Sequence, residues 1–461
     1  MAEAWAEQGR QITFRLHKQA RYSNGRPLRA ADFALGALLR AKAPMDSSWE
    51  QLSEIVEQVE ICGDVELRVT LRQQTPFAPL LVASLLHAAE PGFYAEFGSD
   101  YTTRYADRIP PTTGAYTISD KQRGRFIRMQ RVAHWWGDSV PVFQHTCNVD
   151  AIEYHFLTDE AQAWELLKRG KLNLLQTRYV QGWVQRREES AHDTRIQFTC
   201  KEVQQPHPPY GIAINAATIP DMNLRRGIAH ALDMRQAIHR IFCGEYEQLA
   251  TFASGYPWQQ DEAASPMAYN PAAARAAFAK AGYTHAGNDG ILQQEDGTRL
   301  SVPLLYPPSG RNTALVSLLV QQAKLCGLEI RPEAAAWQVS ARALREKSHH
   351  LLMWATVAPG GMPDFARHFA TDAAGHDAPF NLTSDAMQQL LQRYADSKTT
   401  DELAAATHSI NQLINRECIW IPGWKENRAF TAHSPQVHFP AQEGVLGSCD
   451  VADSHLLWIE P

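Results

Sequence analysis

An α/β fold is predicted by three features of the sequence: runs that alternate apolar and polar residues with the period of a half-buried strand, Ala- and Leu-rich runs at helical spacing, and turn-forming clusters between them. Ile12, Phe14 and Leu16 alternate with Thr13 and Arg15, which predicts a first strand. Ser23-Asn24-Gly25 then supplies a turn, because Asn and Gly tolerate positive φ, and Ala30-Ala31-Asp32-Phe33 opens a helix through Leu39. A second strand is expected over 66–71, and a Leu-rich buried helix over 76–87, stopped by Pro91. Pro110-Pro111-Thr112-Thr113-Gly114 concentrates turn formers and predicts a domain boundary. Strands follow over 115–118, 126–130 and 152–156, then a helix over 161–169 capped by Gly170, and a short strand at Leu172 and Leu174.

Further along, a strand is predicted over 211–215 and one continuous helix over 223–243, stopped by Gly244. A helix over 272–281 and a hairpin through Asp296-Gly297 lead to an apolar strand over 300–306, a helix over 313–326 and a strand from Leu328 to Ile330. Strand, helix and strand in this order predict a parallel crossover. A helix over 337–347, a strand over 351–354, helices over 384–395 and 401–416 and a strand over 419–422 complete the chain.

The length of 461 residues leaves room for roughly three domains of ~150 residues each. With 44% hydrophobic and 20% charged residues the composition is globular rather than disordered. A net charge of −6 offers no basic excess for a phosphate backbone, so nucleic acid is excluded as an expected partner. No run reaches the ~18 apolar residues of a spanning helix, and MAEAWAEQGRQ has neither the basic start nor the apolar stretch of a signal peptide. The seven cysteines are scattered, never in a CxxC pair, and read mostly as buried thiols.

No GxSxG elbow, HExxH pair or GxxxxGK[ST] loop occurs, so no catalytic centre, metal or cofactor is expected. His349-His350 places adjacent side chains on diverging directions, a poor geometry for one ion. Twelve tryptophans stand out, several at predicted element ends: Trp49, Trp135, Trp136, Trp337, Trp354, Trp420 and Trp424. Indole suits a binding cleft because it presents a large apolar face with a free N–H, although burial in a core is the commoner fate of a single Trp.

Tyr22-Ser23-Asn24-Gly25-Arg26-Pro27-Leu28-Arg29-Ala30-Ala31-Asp32-Phe33, preceded by Trp5 and Phe14-Arg15-Leu16, resembles the signature of bacterial extracellular solute-binding proteins of family 5. These are the dipeptide-, oligopeptide- and nickel-binding components of ABC importers. Four later segments fit in the same order: Pro111 to Tyr116 with Trp135-Trp136-Gly137; Leu166 to Asn173; Gly211 to Asn215 with Leu224 to Asp233; and Tyr269 to Ala274 with Ala281-Gly282-Tyr283. Trp420-Ile421-Pro422-Gly423-Trp424 is more similar to the long-peptide or microcin-importing branch than to the dipeptide branch.

The resemblance implies a two-lobed periplasmic-binding-protein fold of type II with an additional small domain on lobe one. It assigns residues 1–112 to that small domain, N-terminally incomplete relative to the family, 113–213 with 427–461 to lobe one, and 214–426 to lobe two. A hinge is expected near 211–216 and 424–430. Ligand-binding candidates are Trp354, Trp337, Asn215, Trp424, Asp364 and Trp49. Peptide-binding members carry an Asp shortly after the Trp that resembles Trp354, pairing with the peptide amino group; here Trp354-Ala355-Thr356-Val357-Ala358-Pro359 has no acid, and Asp364 is the nearest replacement. Asn215 either bonds a ligand backbone or caps the turn that follows it.

The expected function is that of a monomeric substrate-binding component of an ABC importer, which captures a peptide or peptide-like solute between the lobes and delivers it to permease subunits, with the periplasm as its place. Two alternatives use the same fold: a cytoplasmic ligand-sensing domain, or a nickel or haem carrier for which His207, His230, His239, His349 and His350 supply ligands in number but not in spacing.

Overall fold

The structure, a computed structural model, describes the chain apart from residues 43–51, 97, 99, 206–208, 255–256, 260, 262, 356–363, 370–377, 442–445, 449, 453–454 and 461. The chain forms two compact units. The first comprises Met1–Gln176, Asp193–Thr199 and Thr431–Pro461, and the second Thr177–His192 and Cys200–Phe430. The boundaries at 176/177, 199/200 and 430/431 fall inside the strands Leu174–Thr177, Gln197–Gln205 and Arg428–His433. The stretch 214–426, expected as lobe two, lies wholly within the second unit, and so does the expected crossing at 211–216.

In the first unit, four antiparallel strands are ordered Ala2–Gln8, Gln11–Leu16, Glu66–Leu71, Val56–Ile61. Ile12, Phe14 and Leu16 share one face with Leu67, Val69 and Leu71, and the helix Ala78–Leu85 buries Leu81, Val82 and Leu85 in the same core. The edge strand Ala2–Gln8 was not signalled by periodicity, since it buries nothing and leaves Trp5 61% exposed. The Tyr22-to-Phe33 motif has a structural job in this unit. Buried Asp32 accepts hydrogen bonds from both Nη atoms of Arg26 (2.8 and 3.0 Å), from Tyr22 Oη (3.2 Å) and from the Arg29 amide (2.9 Å), fastening the Gly25 turn to the helix Ala31–Lys42. A second, three-stranded sheet is formed by Tyr116–Gln122, Phe126–Arg131 and Ala151–His155. Trp135 and Trp136 both donate to the Thr113 carbonyl, which ties the turn-rich boundary segment to this sheet.

The second unit is built on a five-stranded mixed sheet ordered Glu329–Ala334, Ser301–Tyr306, Leu351–Ala355, Tyr210–Ile214, Trp420–Pro422. The expected crossover is found: Ser301–Tyr306 and Glu329–Ala334 are parallel and joined by the helix Gly310–Leu325. Gly327, at φ +84°, ends that connection where a side chain would be strained. One expectation needs correction. The helix over 223–243 is two helices, Met222–Ala231 and Met234–Ile241. Leu232 is extended and Asp233 caps the second helix by accepting the Gln236 amide at 3.0 Å, so an internal cap overrode a continuous apolar pattern. Two elements had no clear signal: the helix Val180–Glu189, whose last turns are all polar, and the strand Gln197–Gln205. Of the six described cysteines, Cys147, Cys326 and Cys418 are buried, while Cys62 and Cys243 are at the surface.

Candidate functional site

Two of the predicted aromatic residues meet in the second unit. Trp354 sits near the end of the strand Leu351–Ala355, after Leu351, Leu352 and Met353 have filled the sheet core, and it stands opposite Gly211 on the next strand. Trp337 begins the helix Trp337–Arg345, which anchors itself through buried Ser340, Ala341 and Leu344 and leaves Trp337 56% exposed. Trp337 follows the carboxyl end of the strand Glu329–Ala334 and Trp354 stands near the carboxyl end of its own strand, at the edge where open α/β sheets present their ligand sites. The two indole rings are 5.8 Å apart between centroids and tilted by 31°. Trp354 is half-buried, and its Nε1 is buried with no hydrogen-bond partner.

Behind Trp354 lies His368, a residue that no sequence motif singled out. It belongs to the short helix Phe365–Phe369 and is 4% exposed. Four aromatic rings stand nearly perpendicular to its imidazole: Phe252 (5.8 Å, 81°), Phe369 (6.4 Å, 83°), Phe380 (6.4 Å, 89°) and Trp354 (6.5 Å, 87°). Among the described residues, neither ring nitrogen has a hydrogen-bond partner. Burial pushes the imidazole pKa down to about 4, against the opposing pull of the Asp364 carboxylate, so the ring is neutral at pH 7. Asp364 itself, half-buried, accepts the Arg367 amide at 3.0 Å as a cap of this helix.

The remaining candidates are placed differently. Asn215 is fully buried, and its amide group is saturated: Nδ2 donates to the carbonyls of Lys347 (3.1 Å) and His349 (2.8 Å), while Oδ1 accepts from the Ala217 amide (3.0 Å) and Asn381 Nδ2 (3.1 Å). With all four positions used, it holds a turn and has nothing left for a ligand. Trp424 is 1% exposed, stacked on Tyr210 at 5.0 Å and 8° and packed against Phe242. The guanidinium of Arg311 lies 5.8 Å from the Trp424 ring and is paired at 2.5 Å with buried Glu426, whose other oxygen is 3.6 Å from Arg178 Nε. Trp424 is therefore part of a packed cation–aromatic cluster. Trp49 and His207 lie outside the described residues, as do positions 356–359 of the loop after Trp354.

Among the described residues, no group of three or more His, Cys, Asp and Glu side chains is arranged to hold a metal ion. His349 is buried with Nε2 2.7 Å from the Pro379 carbonyl, and His230 Nδ1 is 2.8 Å from the Ala268 carbonyl, so both have structural partners. His350 is half-buried, and its pKa too is lowered by burial.

A mixed sheet within a chain of two α/β units is the architecture of the type II periplasmic-binding-protein fold. The fold is shared over the whole chain with solved structures. The oligopeptide-binding protein AppA of Bacillus subtilis in complex with a nonapeptide superposes with a TM-score of 0.77 at 15% identity, covering 100% of this chain and 90% of that one. NikA of Brucella suis in complex with Fe(III)-EDTA does so at 0.80 and 18%, with the same coverage. The chain belongs to the bacterial extracellular solute-binding proteins of family 5, whose middle-region model matches residues 1–376. It is 22% identical to the probable peptide-binding protein YejA of Agrobacterium fabrum over 91% of this chain and 75% of that protein. It is also 22% identical to the nickel-binding periplasmic protein of Escherichia coli, over 66% of this chain and 57% of that protein.

Proposed function

We propose that this protein is the substrate-binding component of an ABC importer, that it captures a peptide or peptide-like solute against Trp337 and Trp354, and that it passes the solute to a membrane permease without chemical change. The observation that carries this reading is the contact of the exposed Trp337 ring with the half-buried Trp354 ring. An exposed indole costs little to desolvate and has few torsions to freeze, which is what an anchoring residue requires. The absence of a metal-holding cluster among the described residues favours an organic solute over a bare metal ion. Among those residues no helix is long and apolar enough to cross a membrane; a monomeric receptor in the periplasm is the state this reading assigns to the protein.

Binding of an extract-derived or synthetic peptide is expected to change the intrinsic tryptophan fluorescence, and Trp354→Ala is expected to weaken that binding by about 2 kcal/mol. Titration calorimetry with both proteins, alongside circular dichroism to confirm that the variant is folded, tests this. A folded Trp354→Ala protein with unchanged affinity would show that the ring only packs the sheet edge.

A further inference from the structure

The polar atoms beside the aromatic pair narrow what can bind there. Trp354 Nε1 and both ring nitrogens of His368 are buried and unpartnered, although the two rings are in contact. Buried polar groups in folded proteins are almost always satisfied, and Trp354 and His368, which touch each other in an aromatic cluster where Trp420 Nε1 is a further exception, call for a reason. The perpendicular rings around His368 offer its N–H at most a weak contact with a π-face.

We propose that Trp354 and His368 form a recognition point for an uncharged hydrogen-bond acceptor of the ligand, an amide carbonyl, which receives the Trp354 Nε1–H and one imidazole N–H. This inference rests on the reading of Trp337 and Trp354 as the ligand-anchoring pair. Indole can only donate, and a neutral imidazole brings one N–H donor beside one lone-pair nitrogen, so the indole N–H and the imidazole N–H together seek an acceptor. A cationic amine would meet the Trp354 N–H, which has no lone pair, and would find only the unprotonated imidazole nitrogen as an acceptor, with no carboxylate bonded to it. A carboxylate would be buried beside a neutral imidazole, where the Asp364 carboxylate opposes the half-buried Arg367 guanidinium as the charges acting on that ring, so its desolvation would be poorly compensated. The amide carbonyl accepts two hydrogen bonds through its two lone pairs and carries no net charge. The half-exposed Trp354 ring is the route to it from solvent.

The test uses the full chain and a pooled set of N-acetylated, C-amidated tripeptides Ac-Ala-Xaa-Ala-NH2, with Xaa drawn from the uncharged residues. His368→Phe removes both orphaned nitrogens from an aromatic box, so the ligand-free variant is expected to melt several degrees above the parent. It is expected to bind the pool at least tenfold more weakly, and His368→Gln, which keeps an N–H donor, should recover most of that loss. In the parent protein, the Trp354 indole N–H resonance, assigned by its absence in Trp354→Phe, should move downfield on binding. If His368→Phe melts below the parent, the imidazole is a structural partner and the proposal is overturned. The same holds if the pool binds with a tryptophan response but His368→Phe binds it equally well; the anchoring role of Trp337 and Trp354 then survives. If the pool produces neither heat nor any tryptophan response, the anchoring reading fails and the inference falls with it.

Discussion

Asn215 and His368 are both buried polar residues of the second unit, and they differ in what burial costs them. Asn215 has four hydrogen bonds and His368 has none. The difference has a pH signature. The folded state protonates His368 only near pH 4, while an unfolded chain takes that proton near its ordinary value of 6.5. Between these values the unfolded state binds more protons, so stability falls as pH is lowered through the window, by up to about 3 kcal/mol for this one group. His349 and His433, also shifted down by burial, act in the same direction. Urea midpoints at pH 7.0, 5.5 and 4.5 are expected to fall steadily, and less steeply in His368→Phe; parallel curves for the two proteins would refute the assignment.

A second residue-level expectation concerns selectivity. Asp364, the nearest acid after Trp354, is engaged as a helix cap, and no acid stands within the five residues that follow Trp354. A free α-amine therefore gains little, because its charge would be desolvated without an opposite charge to receive it. Free-amine and N-acetylated forms of one peptide are expected to bind within about fivefold, or roughly 1 kcal/mol. A hundredfold preference for the free amine, abolished by Asp364→Asn, would show that Asp364 leaves its cap to take that role. Trp337 and Trp354 were legible at this scale because large aromatics at element ends stand out in a sequence. His368 was not, since nothing in Phe365-Ala366-Arg367-His368-Phe369 separates an orphaned imidazole from a satisfied one.

At the scale of elements, the central strand Tyr210–Ile214 shows why a strand pattern can be read while its neighbours cannot. Gly211, Ile212, Ala213 and Ile214 are buried, a short continuous apolar run flanked on both sides by antiparallel partners. Gly211 is needed there for a reason its own strand does not reveal: a Cβ would lie 2.3 Å from the Trp420 ring and 2.6 Å from the Ile421 carbonyl. Gly211→Ala forces backbone as well as side chain to move and is expected to destabilise the protein by about 1–3 kcal/mol, read as a lower urea midpoint. Because Gly211 stands opposite Trp354, a shift in the tryptophan emission maximum should accompany it. An Ala variant as stable as the parent would mean that the sheet tolerates an added methyl at this crossing. The divided helix at Leu232-Asp233 teaches a related lesson. Apolar periodicity ran through the break, but Asp233 offered its carboxylate to an amide three residues on, and the local cap won.

At the scale of the molecule, the chain passes between its units four times, once in the turn at 192/193 and three times inside strands, at 176/177, 199/200 and 430/431. If the protein is a receptor that signals occupancy by a change of shape, these strands carry the movement. Small-angle scattering is expected to show a smaller radius of gyration with a bound peptide than without; no change with a ligand whose binding calorimetry has confirmed would count against a closing receptor.

The order and type of most elements were set by the chain's own period of apolar residues, its turn formers and its caps, because these act over a few residues and leave a local trace. The Tyr22-to-Phe33 motif was likewise visible, and its ion pair between Arg26 and Asp32 spans only six positions. What the tertiary structure alone decided is the state of each candidate side chain. Asn215 is saturated by carbonyls more than 130 positions away, Trp424 is stacked on Tyr210, and His368 is enclosed by Phe252 and Phe380 from distant segments. Whether a polar atom is satisfied or an indole exposed depends on which remote residues fold against it, and that proximity has no trace in the local sequence.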